Sequence, residues 1–271
     1  MQKAYVNDTA FEYRVAEPDD PVQAVAVPTI VLLHGFPMDS RIWANVADEL
    51  ASEYRVISPN LRGFGTFTAD AEFTIDSLAD DVHALLHEIG GTPCVLAGLS
   101  MGGYVALSFA ARHAESLTGL VLVASKAEAD DDAARRRRDE TLDLLQHEGV
   151  PALVEQMHPK LVADQTLRDD PALVETLCRI MLDTPLATAE EACRAMRDRT
   201  DRTSDLASLD LPVGIVAGEA DEVIPLNVAR AMADRVRDVE FTSIANAGHV
   251  LPLERPREVA DAIRSIARRS R

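Results

Sequence analysis

Lysine is nearly missing from this 271-residue chain: only Lys3, Lys126 and Lys160 stand among 27 basic residues, against 45 Asp and Glu and a formal net charge of −18. Binding DNA or RNA relies on a basic face that neutralises phosphates, so this balance excludes a nucleic-acid partner. The one basic run, Arg135 to Arg138, is flanked by Asp130, Asp131, Asp132, Asp139 and Glu140 and reads as a solvated helix face laced with ion pairs. Long apolar runs are absent as well. Ile30 to Leu33 and Leu120 to Ala124 fall far short of a bilayer span, and Met1 to Arg14 carries charges and no apolar signal-peptide core. A soluble, cytoplasmic protein with no membrane partner is expected. The cysteines number three, Cys94, Cys178 and Cys193, with neither C-x-x-C spacing nor a histidine in ligand register, so they read as free, mostly buried thiols. No metal and no cofactor is expected.

So large a negative charge repels itself in dilute buffer and helps keep the protein soluble at high salt. The composition therefore predicts a salt-tolerant protein, with a halophilic source as the simplest origin. Activity and melting temperature are expected to hold or rise from low to molar salt. Best behaviour in dilute buffer would contradict this reading.

No repeat of fixed period occurs. Ala4 to Val6 and Phe11 to Val15 read as two short strands around the turn Asn7-Asp8-Thr9, and Glu17 to Pro21 as a loop. Thr29 to Leu33 is a continuous β-branched and apolar run, as expected of a strand covered on both faces, and it runs into His34-Gly35-Phe36-Pro37. Asp39 or Ser40 caps a predicted helix to about Ala51, and Tyr54 to Ser58 is the next strand. A loop from Pro59 to Thr68 carries Arg62-Gly63-Phe64-Gly65. Thr74 to Ile89 is apolar at helical spacing and ends at Gly90-Gly91. A strand at Cys94 to Ala97, a helix from Gly103 to Ala111 and a strand at Leu120 to Ala124 follow. This alternation predicts an α/β fold with a doubly wound, mainly parallel sheet.

Between about Lys126 and Asp205 only helical patterning remains, at Thr141 to Gln146, Pro151 to Met157, Pro171 to Leu182 and Ala187 to Arg199. The strand and helix rhythm then resumes with Val213 to Ala217, Leu226 to Val236, Glu240 to Ile244 and Pro256 to Arg268. A sheet core of residues 1–125 and 206–271, interrupted by a helical cap at 126–205, is the expected organisation. An independent second domain fits less well, because the insertion leaves and re-enters at neighbouring strand ends.

Gly98-Leu99-Ser100-Met101-Gly102 joins a predicted strand to a predicted helix. A serine between glycines at such a junction presents its hydroxyl on a tight, strained turn. A serine hydroxyl is a weak nucleophile near neutral pH and needs a base within hydrogen-bond reach, itself held by an acid. Asp221, with Glu219 and Glu222 beside it, follows one later strand, and His249 follows the next. Ser100, Asp221 and His249 thus occur in chain order at the C-terminal ends of predicted strands, which line a common crevice in an open α/β sheet.

These strand-end motifs resemble those of the α/β-hydrolase superfamily over nearly the whole chain. His34-Gly35-Phe36-Pro37 is similar to its oxyanion loop, Arg62-Gly63-Phe64-Gly65 to its Gly-rich loop and Gly98 to Gly103 to its nucleophile elbow. Gly218 to Pro225 is similar to its acid turn and Gly248-His249 to its histidine loop. Asn60 departs from the Asp often found there, at a position more structural than catalytic. The resemblance implies that Ser100 is the nucleophile, His249 the base and Asp221, four residues before Pro225, the acid. The backbone N–H groups of Phe36 and Met101 then form the oxyanion hole. His34 is implied to be a loop-stabilising residue, while His83, His87, His113, His147 and His158 fall on predicted helices as surface or packing residues. Trp43 and Phe64 are candidates for the pocket wall or the core, as are Met157, Met181 and Met196 in the insertion.

Ser100 stands where dehalogenases and epoxide hydrolases of this fold carry an aspartate, and the four tyrosines, Tyr5, Tyr13, Tyr54 and Tyr104, lie outside the insertion that supplies the epoxide enzymes' acids. Acyl transfer remains. The resemblance is to small capped esterases, and it implies a carboxylesterase for small to medium acyl esters. Alternatives are an enol-lactonase-like or perhydrolase/haloperoxidase-like enzyme, and, against the intact triad, a non-catalytic binding member. The implied partner is a small-molecule ester or lactone.

Overall fold

A computed structural model of the chain describes residues 1–7, 9–18, 28–65 and 72–270. Asp8 of the expected first turn and loop positions 19–21 and 66–68 lie outside the described residues. Among the described residues eight strands, β1 (Gln2–Val6), β2 (Thr9–Ala16), β3 (Thr29–Leu33), β4 (Arg55–Pro59), β5 (Cys94–Leu99), β6 (Leu117–Val123), β7 (Val213–Gly218) and β8 (Val239–Ile244), form one sheet. Their order is β1-β2-β4-β3-β5-β6-β7-β8, antiparallel at β1/β2 and β2/β4 and parallel thereafter. The mainly parallel α/β expectation holds.

Helices cover both faces, which is why the central strands are apolar without alternation. Ile30 to Leu33 of β3 and Val95 to Ala97 of β5 have no exposed surface. Each buried Val, Leu or Ile among them contributes roughly 1.5–3 kcal/mol relative to exposure. Chain direction sets the position of the crevice. From β3 the chain crosses to β4 on one side, and β5 then returns to the other side of β3, so the loops after β3 and β5 part at a topological switch point.

Local signals explain most element ends. Asp39 accepts the Arg41 N–H at 2.9 Å, but the turn it caps is a 3-10 segment, Ser40–Trp43, and α1 begins only at Ala44 and runs to Leu50. Thr74 and Ser77 form a reciprocal capping box at the start of α2 (Ile75–Glu88). Helix α3 (Met101–Arg112) follows β5 directly, and His113 stands just past its end rather than within it.

Helices α4 (Asp132–Leu161), α5 (Asp164–Asp169), α6 (Pro171–Leu182) and α7 (Leu186–Arg197) lie between β6 and β7, neighbours in the sheet. The first differs from expectation. Two short helices were expected there; instead α4 starts nine residues before Thr141 and is broken only at Gly149, whose φ of 78° is left-handed. The segment Ala133 to Glu140 lacks apolar periodicity, yet Ala, Arg and Glu favour helix by propensity, and Asp131 caps it by accepting the Ala134 N–H at 2.7 Å. Helices α8 (Leu226–Ala233), α9 (Leu251–Glu254) and α10 (Pro256–Arg269) complete the chain.

Candidate active site

Ser100 occupies the junction between β5 and α3 with φ 51° and ψ −109°, a left-handed conformation for a residue with a side chain. Such a conformer costs on the order of 1–3 kcal/mol and persists only where its surroundings over-determine it. Here the Ser100 N–H donates to the Val123 carbonyl at 2.9 Å, and the Ser100 carbonyl accepts from the Ser125 hydroxyl at 2.9 Å and the Gly103 N–H at 2.9 Å. The turn also needs its glycines for space. A Cβ on Gly98 would collide with the Gly102 backbone, and one on Gly102 with the Leu33 carbonyl. The Ser100 side chain lines a cavity of about 500 Å³ shared with Phe36 and His249. Its hydroxyl has no protein hydrogen-bond partner among the described residues.

Asp221 and His249 are already joined. His249 Nδ1 lies 2.9 Å from Asp221 Oδ2, and both side chains are almost wholly buried. The other carboxylate oxygen, Asp221 Oδ1, accepts the Val223 and Ile224 N–H groups at 2.8 and 2.9 Å. Asp221 is thereby fixed by its own turn and aimed at the imidazole. Glu219 and Glu222 are exposed, and Glu219 is engaged by the Ser243 hydroxyl at 3.1 Å. Geometry thus separates three carboxylates that their spacing alone left open.

Phe36 stands in the turn after β3, closed by the Met38 N–H on the Gly35 carbonyl at 3.1 Å, and contributes to the cavity wall. Met101 is the first residue of α3, where an N–H has no partner within the helix. His34 is fully buried. Its Nε2 must accept the Leu61 N–H at 3.0 Å, so Nδ1 carries the proton and donates to the Gly35 carbonyl at 3.0 Å. Burial pulls its pKa below the ordinary histidine value, in keeping with a neutral ring that joins two loops. Asn60 accepts the Ser40 N–H at 2.9 Å, a structural tie.

The chain's pattern left several wall positions open, and the structure sorts them. Met157 and Met196 line the cavity, whereas Met181, Trp43 and Phe64 are buried and do not; Phe64 meets His34 edge to face at 4.8 Å. Arg135 to Arg138 require a correction. Arg135, Arg136 and Arg137 are exposed as expected and Arg138 is half-buried, but Arg137 and Arg138 also line the cavity, together with Lys126, Lys160, Asp130 and Glu140. A charge run carries no record of the tertiary neighbour that one edge of its helix meets. Burial alone would raise the Asp130 pKa, yet the Arg138 and Arg199 cations beside it hold it below the ordinary carboxylate value. The free thiols are passive: burial pushes Cys94 up to about 12 and Cys193 up to about 11. His83, His113 and Glu115 are the one group with metal-ligand geometry among the described residues, and none of them lines the cavity.

Glu254 was not anticipated. Its buried carboxylate accepts the Gly248 N–H at 2.6 Å through one oxygen, and the Ala163 N–H at 2.9 Å and Thr166 hydroxyl at 2.6 Å through the other. The Leu161 carbonyl meanwhile accepts the N–H groups of His249 and Val250, both at 2.9 Å. The histidine loop is therefore braced against the end of α4. A glutamine at 254 would turn an amide toward at least one of those donors. Glu254→Gln is expected to lower kcat by about 10- to 100-fold through displacement of His249. Tm is expected to fall by several degrees, on the order of 2–4 °C per kcal/mol lost. Steady-state kinetics and a thermal melt check this, and wild-type kcat with a lowered Tm would make Glu254 merely structural.

Comparison with known proteins adds to this geometry. The family model described as "Alpha/beta hydrolase family" matches residues 30–262. The chain is 31% identical to an esterase from Thermogutta terrifontis, solved with malate bound, with a TM-score of 0.92 over 100% of this chain and 99% of that one. It is 28% identical to a pimeloyl-[acyl-carrier protein] methyl ester esterase of Aeromonas hydrophila over 87% of this chain and 94% of the relative. It is also 26% identical to 3-oxoadipate enol-lactonase 1 of Acinetobacter baylyi over 84% of each.

Proposed function

This chain belongs to the alpha/beta hydrolase family, and on that premise we propose that it is a cytoplasmic carboxylic-ester hydrolase that works through an acyl-enzyme on Ser100. The observation that carries this reading is the buried 2.9 Å contact of Asp221 with His249, which lines the same cavity as Ser100. The core is taken as residues 1–125 and 206–271, with 126–205 as a cap over the crevice. Ser100 Oγ attacks the acyl carbonyl carbon while His249 Nε2 takes its proton, and Asp221 stabilises the imidazolium through Nδ1. The oxyanion receives the N–H groups of Phe36 and Met101, each worth about a hundredfold or more in rate. On collapse, His249 gives its proton to the departing alcohol, and water then releases the acid by the same steps in reverse order.

The named relatives that act on esters support the esterase reading, and the malate in one of them suits a site that accepts small acids. The enol-lactonase relative favours a second reading, attack on a cyclic ester, for which the same residues serve. A panel of simple esters and lactones, read as ratios of kcat/KM, decides between the two. Esters are expected to lead. Lactones leading by about tenfold or more would replace the first reading by the second, and turnover of neither would overturn both.

A further inference from the structure

The cavity wall carries charge of the opposite sign to the chain as a whole. Against a formal net charge of −18, four cations face the cavity, Lys126, Arg137, Arg138 and Lys160, with two carboxylates, Asp130 and Glu140. The chain holds three lysines in all, and two of them are here. Asp130 is already shared among cations: Arg199 at 2.7 Å, Arg138 at 3.1 Å and Lys126 at 3.5 Å. One carboxylate among three cations leaves that cluster with surplus positive charge. Arg137 and Lys160, both exposed, have no ion-pair partner among the described residues. Glu140, also exposed, is the one opposing charge on the wall besides Asp130, and the balance stays positive.

Beside these cations the wall is apolar, with Leu144, Met157, Leu161 and Met196, and Ser100 and His249 belong to the same cavity. A hydrocarbon chain with an ester at one end and a negative charge at the other matches that division. In so acidic a protein the general field repels an anion, and a locally positive cavity is what reverses the sign on approach. The cavity's volume, about 500 Å³, is that of a small-molecule site. Resting on the esterase reading above, we propose that the substrate is an ester bearing a carboxylate remote from the scissile bond. Arg137 and Lys160 receive that carboxylate, with the surplus cations around Asp130 behind them. The guanidinium supplies a two-pronged hydrogen-bond donor and the ammonium a mobile point charge.

The test compares matched esters at low ionic strength: 4-nitrophenyl hydrogen adipate against 4-nitrophenyl hexanoate, with the charge on the acyl side, and 4-acetoxybutanoate against pentyl acetate, with it on the alcohol side. In at least one pair the anionic ester is expected to show about tenfold higher kcat/KM, chiefly through KM, and the pair that does so tells which side of the ester faces the cations. Arg137→Gln/Lys160→Gln is expected to lower kcat/KM for the anionic ester about tenfold more than for its neutral partner, and about 0.5 M salt to shrink the preference in the wild type. Preference for the neutral ester in both pairs, or an unchanged ratio in the double variant, overturns the proposal. Failure of the esterase reading is separately visible, as no turnover of any ester. In that event, calorimetric titration of monomethyl adipate into Ser100→Ala, with and without the two glutamines, reads the subsite directly. Binding that the glutamines abolish supports it, and binding that they leave equal, or none in either, overturns it.

Discussion

Ser100→Ala is expected to abolish ester hydrolysis almost completely, lowering kcat on the order of a millionfold while the fold stays intact. The hydroxyl makes no hydrogen bond to protein among the described residues, so its removal orphans no buried group. Ser100 is held through its backbone, by Val123, Ser125 and Gly103, and alanine keeps all of those bonds. On the proposed mechanism, substrate still meets the cavity, the His249–Asp221 pair and the proposed oxyanion donors, but no atom is present to accept the acyl group. The residual rate is what binding and the oxyanion hole give to attack by water. Hydrolysis of 4-nitrophenyl acetate beside a thermal melt checks both halves. A variant that melts as the wild type does and keeps its rate would remove Ser100 from the reaction.

Asp221→Asn carries the second largest effect, a fall in kcat of about ten-thousandfold with KM little changed. The cause lies in the hydrogen-bond directions around this one side chain. Oδ1 accepts two backbone N–H groups, from Val223 and Ile224, so an asparagine must keep its carbonyl oxygen there. Its amide then donates toward His249 Nδ1, where the carboxylate had accepted. The imidazole is forced into the opposite tautomer, with the proton on Nε2, and it is no longer able to take a proton from Ser100. Glu222→Gln, one residue away but exposed, serves as the control and is expected to keep kcat within about twofold, since surface changes away from such features have small effects. Full activity in Asp221→Asn, or its loss in Glu222→Gln, would move the acid role to the neighbour.

Strand-end motifs were the most legible part of this molecule because they obey local rules. The β-branched run of β3, the glycines around Ser100 and the order of Ser100, Asp221 and His249 each follow from backbone geometry within a few residues. The parallel sheet and its crevice follow from their alternation. What stayed hidden depends on packing between distant segments. Arg137 and Arg138 look like surface residues in a charged run, and Arg137 is indeed exposed, but the run carries no sign that both also line the cavity that holds Ser100. Glu254 gives no local signal either, since its partners Ala163 and Thr166 lie about ninety residues earlier. Trp43 and Phe64 show the converse: large apolar side chains near functional loops that the core, not the cavity, absorbs. The break at Gly149 was within reach, because a glycine two residues before Pro151 marks a helix interruption whatever lies on either side.

The claim on which the rest depends is that Ser100 is an activated nucleophile, and a fluorophosphonate ester tests it most directly. An activated serine oxygen displaces fluoride from phosphorus and keeps the phosphonyl group, which water removes only slowly. Intact-mass measurement followed by peptide mapping is expected to find one phosphonyl group per chain, on the peptide that holds Ser100, with activity lost in step. The adduct is expected to be absent in Ser100→Ala and strongly slowed in Asp221→Asn. Labelling at another residue, or labelling that survives in Ser100→Ala, would contradict the account.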